Sequence, residues 1–344
     1  MPRMPRLAVG LRRIYQNLKI MKKIIHTQKK YGIREQAKEF PMMCVLSFVY
    51  ACNSKCPNCP YNNSDIRSNY KDALFMPEDI FKTIANQCAQ YGSYLRLSGG
   101  GEPMLHPKAV ELIEYAKSKG AKIGLITNGS VFAKEKLERI IKAGVDMIEF
   151  SVDAGDKKTY RKVRKGLNWE RLVKNAKMAV EIRNKLKSPT KIICSIINQK
   201  GVDVKKAEKF WEKIVDRVQI RKYLTWGYNK DNSADATPYL EPNKKIPCPW
   251  LFERLNIDSR GDVTVCGEDI AFSEKFANVK DQPIKKIWHS PEINYYRSMH
   301  LKHKGDQIPL CKNCPDWKYR SWTYNYWHLE KKAEQKRAKA ILGK

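Results

Sequence analysis

Residues 43–59 read MCVLSFVYACNSKCPNC, in which a run of strand-forming residues ends in three closely spaced cysteines, Cys52, Cys56 and Cys59. Three thiolates on one short loop can bind three corners of a cuboidal [4Fe–4S] cluster, which needs four ligands and would keep one iron open. A structural zinc ion is the alternative, but it requires a fourth Cys or His close by. The nearest histidine of this region, His106, follows a different predicted strand. The spacing therefore favours the open cluster.

Six predicted strands alternate with predicted helices between residues 41 and 224. This alternation predicts a parallel sheet with right-handed crossovers. Because eight such units close a TIM barrel, six predict an α/β fold with an open, partial (β/α)6 barrel. Functional side chains of such sheets gather at the carboxyl ends of the strands. We predict the strands over Met43–Val49, Tyr94–Ser98, Lys122–Thr127, Met147–Val152, Lys191–Ile197 and Arg217–Leu224.

The composition excludes several classes of protein. The 344 residues suffice for two or three units of ~150 residues each. No apolar signal-peptide core follows the basic N-terminus, and the longest uncharged stretch, between Pro41 and Lys55, is too short to span a bilayer. We therefore expect a cytoplasmic protein without a transmembrane segment. In that compartment its ten cysteines serve better as metal ligands or buried side chains than as disulfides.

Charge and composition divide the chain into five parts, and 66 basic against 36 acidic residues give a net charge of +30. We predict a basic N-terminal extension over 1–40, the barrel over 41–230, a polar linker over 231–247, a second cysteine-bearing domain over 248–316 and a basic, aromatic-rich C-terminal extension over 317–344. The basic ends either attract an anionic partner, such as nucleic acid, an acidic carrier, lipid or a phosphorylated substrate, or are solvated helices. No zinc-finger or RNA-recognition pattern accompanies them.

A second set of cysteines, Cys248, Cys266, Cys311 and Cys314, lies in the C-terminal part. Cys266 ends a predicted β-hairpin that turns at residues 259–261. Four thiolates can complete one [4Fe–4S] cluster, and a structural zinc site built from the same residues is the alternative. Spacing alone leaves both open.

The C-x3-C-x2-C motif after the first strand resembles the signature of the radical S-adenosylmethionine (SAM) enzymes, and the turns after the later strands agree with that family. The resemblance implies a radical SAM barrel that binds SAM. Under it, the glycines after the second strand let backbone approach a ligand, and Glu102 accepts a hydrogen bond from the SAM ammonium. Arg164 pairs with the SAM carboxylate through its guanidinium fork. The implied SAM-binding residues are Gly99, Gly100, Gly101, Glu102, Asn128, Ser151, Asp153 and Arg164.

One position departs from the family pattern. The residue before the third motif cysteine is commonly aromatic in this family and is Asn58 here. The adenine of SAM is therefore expected to stack elsewhere, and Tyr61 is the candidate.

The C-terminal cysteines resemble the twitch form of the SPASM auxiliary-cluster domain, with spacings similar to those of the butirosin-pathway aminocyclitol dehydrogenase type. The resemblance implies a second, auxiliary [4Fe–4S] cluster on all four of these cysteines. The further cysteines of the longer SPASM form are absent downstream of Cys314, so no third cluster is expected. The auxiliary cluster would accept an electron from the substrate, bind the substrate or serve as a structural element.

The resemblance also implies a reaction. A low-potential donor such as flavodoxin or ferredoxin reduces the first cluster, SAM is cleaved to a 5′-deoxyadenosyl radical, and this radical abstracts hydrogen from the substrate. An oxidoreductase acting on an alcohol also needs a base. Glu268 and Asp269 are the candidates, because related enzymes often place an acidic residue after the cysteine at this position. A structural role in the hairpin turn is the alternative.

Two classes of substrate remain open. A polar small molecule, such as a sugar, an aminocyclitol or a nucleotide sugar, is favoured by the single auxiliary cluster, and the basic surface would attract its phosphate. A peptide or protein, as for maturase relatives, would instead dock on the basic ends. A third reading, a basic zinc protein that binds RNA, requires zinc at both sets of cysteines.

Overall fold

The structure is a computed structural model and describes residues 35–62, 64–224, 247–312 and 314. Most of the predicted N-terminal extension, nearly all of the predicted linker and the whole predicted C-terminal extension lie outside the described residues. The predicted domain boundaries therefore stay predictions.

Six strands form a parallel sheet and lie side by side in the order of the chain. The predicted α/β fold with a partial (β/α)6 barrel is thereby confirmed. Each predicted strand is present, and its end differs from the prediction by at most three residues. The strands are β1 (Met43–Leu46), β2 (Tyr94–Leu97), β3 (Lys122–Thr127), β4 (Met147–Ser151), β5 (Lys191–Asn198) and β6 (Arg217–Lys222).

Amphipathic helices connect these strands. In Glu78–Tyr91, for example, Ile80, Ile84 and Cys88 repeat with helical spacing and are buried. This helix ends at Gly92, whose φ of 62° is the left-handed conformation that glycine adopts readily at a helix C-terminus. The helices are α1 (Ser64–Ser68), α2 (Glu78–Tyr91), α3 (Ala109–Ser118), α4 (Lys134–Lys142), α5 (Lys157–Val163), α6 (Trp169–Lys185) and α7 (Val204–Trp211).

The C-terminal part continues the same sheet. The predicted hairpin is present as β7 (Arg254–Ile257) and β8 (Asp262–Thr264), and β9 (Ala277–Asn278) pairs with β8. Strand β7 is hydrogen-bonded in parallel to β1, with Met43 opposite Arg254. The strand that leads into the first cysteine loop is therefore flanked by β2 on one side and β7 on the other. The remaining helices are α8 (Trp250–Glu253), α9 (Ile284–Trp288), α10 (Pro291–Leu301) and α11 (Pro309–Lys312).

Three cysteines outside both motifs lie in the hydrophobic core. Cys44, Cys88 and Cys194 are completely buried, in agreement with the expectation that they are small apolar side chains. No helix in the described part of the chain is long and apolar enough to cross a membrane.

Candidate functional site

The glycines after β2 hold the first cysteine loop by close backbone packing. A Cβ atom at Gly100 would lie 2.3 Å from the Val49 carbonyl oxygen, and one at Gly101 would lie 2.0 Å from that of Ala51. The Glu102 N–H donates to the same Ala51 oxygen at 2.9 Å. The close approach that these two glycines permit is therefore to the chain's own loop, directly before Cys52. Their predicted contact with SAM stays a prediction.

Hydrogen-bond donors surround the sulfurs of the first cysteine loop. The Ser54 hydroxyl lies 2.9 Å from Cys56 Sγ, and the Ser54 N–H donates to Cys52 Sγ at 3.4 Å. Arg164 Nη1 donates to Cys56 Sγ at 3.8 Å. Burial raises the pKa of the Cys52 thiol and raises that of Cys59 to about 12. Since a metal binds thiolates, cluster binding at these cysteines must release protons.

The donor set fits an iron–sulfur cluster. In a [4Fe–4S] cluster each cysteine binds a different iron, whereas a zinc ion gathers all of its ligands around one point. Three cysteines spread along one loop and surrounded by donors match the requirement of the cluster.

Glu102 links the loops after β2 and β3. Its carboxylate accepts hydrogen bonds from Thr127 Oγ1 and the Asn128 N–H, both at 2.7 Å, and from the Met104 N–H at 3.1 Å. Burial raises the pKa of this carboxyl, and the three hydrogen bonds oppose that rise. The structure thus shows a positioning role for Glu102 between two motif loops. Its predicted bond to the SAM ammonium stays a prediction.

Asn53, which the sequence analysis did not single out, joins the cysteine loop to the loop after β3. Its Oδ1 accepts from Asn128 Nδ2 at 2.9 Å, and its Nδ2 donates to Ser130 Oγ at 2.7 Å. The available signal was its position directly after Cys52. Asn128 is therefore oriented toward the cysteine loop.

Arg164 and Asp153 form a buried ion pair next to the first cysteine loop. Arg164 Nη2 lies 2.6 Å from Asp153 Oδ2, and the Ile197 N–H donates to Asp153 Oδ1 at 2.7 Å. Burial disfavours the charged guanidinium, but Asp153 and Cys56 outweigh that effect and the pKa of Arg164 rises. Ser151, the last residue of β4, is half-buried. The C-terminal end of α5 thus brings one cation to the first cysteine loop.

Asn58, which replaces the usual aromatic residue, has a polar partner, whereas Tyr61, the candidate for stacking on adenine, lies against another aromatic ring. The Asn58 side-chain amide donates to the buried Gln199, which ties the cysteine loop to the loop after β5. Tyr61 lies edge-on to Tyr50, with ring centres 5.9 Å apart, and its hydroxyl is 3.3 Å from the position of a Cβ at Gly99. The predicted stacking of adenine on Tyr61 stays a prediction.

Charged side chains lie on the face of the sheet that points away from the helices. Cys44 of β1 contacts Cys88 of α2, so residues that alternate with Cys44 form the opposite face, which we call the inner face. On the inner face the buried Glu149 of β4 accepts from Arg221 of β6, with Nε and Nη2 at 3.1 and 2.6 Å from its Oε1.

The inner face is cationic. Register pairs across β3 and β5 place Arg96 and Arg217 on the same face as Glu149 and Arg221. Burial raises the pKa of Glu149, but Arg221 and Arg96 outweigh it, so its pKa lies below the usual value. Glu149 is the single carboxylate in the described strands β1–β6, against three arginines. A charged residue inside an apolar strand is the signal that could have identified these positions.

The four C-terminal cysteines come together although they belong to three separate segments of the chain. Glu268, the first predicted base, and His300 lie beside these four cysteines. One cavity is lined by Cys248, Cys266, Cys311, Cys314, Glu268 and His300, among others. The donor set of four thiols in one cavity fits one [4Fe–4S] cluster.

Asp269, the second predicted base, stabilises its own turn. Its Oδ2 accepts from Thr264 Oγ1 at 2.8 Å and from the Glu274 N–H at 3.0 Å. Its Oδ1 accepts from the N–H and hydroxyl of Ser273 at 2.9 and 2.7 Å. The carboxylate is buried with four donors around it, which favours the structural alternative for Asp269 and leaves Glu268 as the candidate base.

Comparison with protein families matches both parts of the chain. Residues 46–210 match the radical SAM superfamily, and residues 248–315 match SPASM, an iron–sulfur cluster-binding domain. The chain is 23% identical to the tungsten-containing aldehyde ferredoxin oxidoreductase cofactor-modifying protein of Pyrococcus furiosus, over 78% of this chain and 86% of that protein. It is 31% identical to a probable GTP 3′,8-cyclase of Methanococcus maripaludis, over 40% of this chain and 45% of that protein. The chain thus spans less than half the length of the second relative.

Solved structures share the fold. BtrN in complex with AdoMet and 2-DOIA has a TM-score of 0.53 at 18% identity, covering 80% of this chain and 93% of that chain. Streptococcus suis SuiB bound to S-adenosylmethionine has a TM-score of 0.64 at 19% identity, covering 89% and 77%. At these identities the likeness establishes the fold alone.

Proposed function

This chain belongs to the radical SAM superfamily and carries a C-terminal SPASM iron–sulfur domain, and we propose that it oxidises a small anionic substrate by abstracting a hydrogen atom. SAM and [4Fe–4S] clusters are its cofactors. When bound, the first cluster and SAM supply the 5′-deoxyadenosyl radical for this step. Electrons come from a low-potential donor such as flavodoxin or ferredoxin.

The first cysteine loop holds the radical-generating cluster in this proposal. Cys52, Cys56 and Cys59 are its ligands, and the Arg164 guanidinium, which donates to Cys56 Sγ, stabilises the Cys56 thiolate. Gly99, Gly100 and Gly101, with Glu102, Asn128, Ser151, Asp153 and Arg164, place SAM next to that loop.

The arginines of the inner face are the observation that supports an anionic substrate. Arg96 and Arg221 each lie one residue before the end of their strands, on the carboxyl-end side from which the motif loops project. At this side Arg96 and Arg221 both act on one carboxylate, Glu149, whereas Arg217 begins β6 at the opposite end of the sheet. Two guanidinium groups therefore meet a single carboxylate of the described strands near the motif loops. Guanidinium groups bind phosphate and carboxylate through paired hydrogen bonds. A phosphorylated or carboxylated sugar, aminocyclitol or nucleotide sugar matches this surface.

The auxiliary cluster completes the oxidation in this proposal. Cys248, Cys266, Cys311 and Cys314 hold it, and it accepts the second electron from the substrate radical. Glu268 shares the cavity of these cysteines and is the proposed proton acceptor.

Fractionated metabolites test the substrate class. Anaerobically reconstituted enzyme is incubated with dithionite, SAM and metabolites separated by anion exchange, and 5′-deoxyadenosine and mass changes are followed. We expect an anion-retained fraction to stimulate 5′-deoxyadenosine formation and to yield a product lighter by two hydrogens. Stimulation by neutral or cationic fractions alone would contradict the proposal.

Arginine variants connect that result to the inner face. The double variant Arg96→Gln, Arg221→Gln should keep substrate-free SAM cleavage and lose the stimulation. Arg139→Gln is the matched control, because Arg139 is a surface arginine paired with Glu111 and Glu114. Equal stimulation in the double variant and the control would show that the inner-face arginines do not bind the substrate.

Peptide or protein modification is the alternative function. Similarity to SuiB bound to precursor peptide SuiA, with a TM-score of 0.64 at 19% identity, supports the shared fold and is the observation that keeps this alternative. Stimulation of SAM cleavage by a peptide fraction, with no effect of small metabolites, would favour it.

A further inference from the structure

His300 contacts two of the four cysteines of the auxiliary site. The histidine lies on α10 and is 2% exposed. Its Nδ1 is 3.2 Å from the backbone nitrogen of Cys248, and its Nε2 is 3.5 Å from Cys311 Sγ. We propose that His300 donates an N–H···S hydrogen bond to Cys311 and thereby raises the reduction potential of the auxiliary cluster. This inference requires the cluster but no particular substrate.

The hydrogen bond to Cys248 decides which ring nitrogen of His300 carries the proton. A backbone N–H is always a donor, so Nδ1 must accept from Cys248 and carries no proton. A neutral imidazole then has its proton on Nε2, and Nε2 points at Cys311 Sγ. Geometry alone therefore makes the imidazole a donor toward this sulfur.

Close packing fixes the His300 ring in this orientation. A Cβ atom at Gly305 would lie 2.9 to 3.1 Å from three atoms of the ring. A side chain at position 305 would push the imidazole away from Cys311. The backbone of Gly305 thus lies against the His300 ring and limits its movement. The imidazole is thereby held in place as an outer-shell partner of Cys311, the proposed ligand.

A donor to a ligating sulfur affects the two oxidation states of a cluster unequally. The reduced cluster carries one more negative charge, part of which resides on its thiolates, so an N–H···S bond stabilises the reduced state more. Hydrogen bonds to sulfur and burial are two of the known determinants of cluster potential. In a buried site the effect is large, because the low local dielectric strengthens the interaction. His300 is therefore a positioning and tuning residue and takes no part in substrate chemistry.

Redox titration of the isolated auxiliary signal tests the proposal. The background variant Cys52→Ala, Cys56→Ala, Cys59→Ala removes the first cluster, so that electron paramagnetic resonance reports the auxiliary cluster alone. We expect a lower midpoint potential in His300→Phe, which keeps a ring of similar shape but has no donor. His300→Gln should recover most of the difference, because its amide can donate at the same place.

His289→Phe is the matched control, since His289 lies in the same region but contacts the Glu39 carbonyl, away from the four-cysteine cavity. Its midpoint potential should equal that of the background variant. An unchanged potential in His300→Phe with a full iron content would overturn the proposal. A potential in His300→Gln as low as in His300→Phe would do the same, because donation would then be irrelevant.

A second measurement needs no substitution at His300. In reduced protein exchanged into D2O, the Nε2 deuteron should show a hyperfine coupling to the auxiliary cluster, and 15N-histidine labelling should show the matching nitrogen coupling. This experiment decides the question even if His300→Phe fails to load the cluster. Absence of both couplings in protein with a full iron content refutes the hydrogen bond.

Discussion

Replacement of Gly101 by alanine should remove the first cluster and leave the second intact. The added Cβ would lie 2.0 Å from the carbonyl oxygen of Ala51 and 2.6 Å from its carbonyl carbon. Real Cβ atoms essentially never approach another heavy atom closer than 3.0 Å. The two backbone segments must therefore separate by the difference, about 1 Å.

This displacement occurs directly before Cys52, the first of the proposed ligands of the cluster. Bonds between a metal and its ligands tolerate deviations of roughly 0.2 Å, so a shift of the preceding residue several times larger cannot be absorbed. The hydrogen bond from the Glu102 N–H to the Ala51 carbonyl is lost as well. We expect about half of the roughly eight irons to be missing after anaerobic reconstitution, because each [4Fe–4S] cluster contributes four.

Gly120→Ala separates this steric effect from backbone strain. Gly120 has a φ of 81°, but a Cβ there meets nothing within 4 Å. Its replacement costs roughly 1–2 kcal/mol for the left-handed backbone and leaves the cysteine loop untouched. Iron analysis, together with the change that SAM induces in the resonance spectrum of the reduced cluster, measures the outcome. Wild-type iron and a wild-type response to SAM in Gly101→Ala would refute the reasoning, as would an equal loss of iron in Gly120→Ala.

Three further predictions concern the SAM site, the auxiliary cluster and a buried carboxyl. Arg164→Ala should weaken SAM binding by ~1.5–3 kcal/mol, the typical value of a charged hydrogen bond, in equilibrium dialysis of the reconstituted protein; unchanged affinity would remove Arg164 from the SAM site. Cys311→Ala should still cleave SAM and accumulate 5′-deoxyadenosine without oxidised product, and full product yield from a folded one-cluster variant would eliminate the electron-acceptor role. Burial and the nearby Asp262 raise the pKa of Asp258 to about 6. Between about pH 4 and pH 6 the Asp258 carboxyl is therefore protonated in the folded state and ionised in the unfolded state. The free energy of unfolding falls as the pH rises through that range. Asp258→Asn should therefore raise the melting temperature of the apoprotein more at pH 7 than at pH 4; a pH-independent difference would contradict the assignment.

Much of the fold could be predicted from local sequence patterns. The strands from Met43 to Lys222 are short runs of β-forming residues bounded by turns, and their alternation with amphipathic helices leaves few topologies. The same rule placed the motif residues at one edge of the sheet. Such signals depend on neighbours in the sequence, which is why they can be read without coordinates.

The roles of individual site residues could be predicted less well. The glycines at 100 and 101 were expected to approach a ligand, and they approach the backbone of the cysteine loop. Asp269 was a candidate base, and its oxygens are used by four donors within its own turn. The residue type fixes which hydrogen bonds a side chain can make, but only the folded structure shows which partners use them.

The sequence by itself determined the class of cofactor, because C-x3-C-x2-C is a ligand pattern within one loop. It can be recognised without knowing the rest of the fold. Only the tertiary structure decided that β7 lies beside β1, that Arg96, Glu149 and Arg221 share an inner face, and that His300 reaches Cys311. The contacts within the sheet join residues that are tens to hundreds of positions apart, and His300 and Cys311, eleven positions apart, lie on two different helices. No periodicity within a short window encodes such pairs, since they form only when the whole sheet has assembled and its two faces are distinguished.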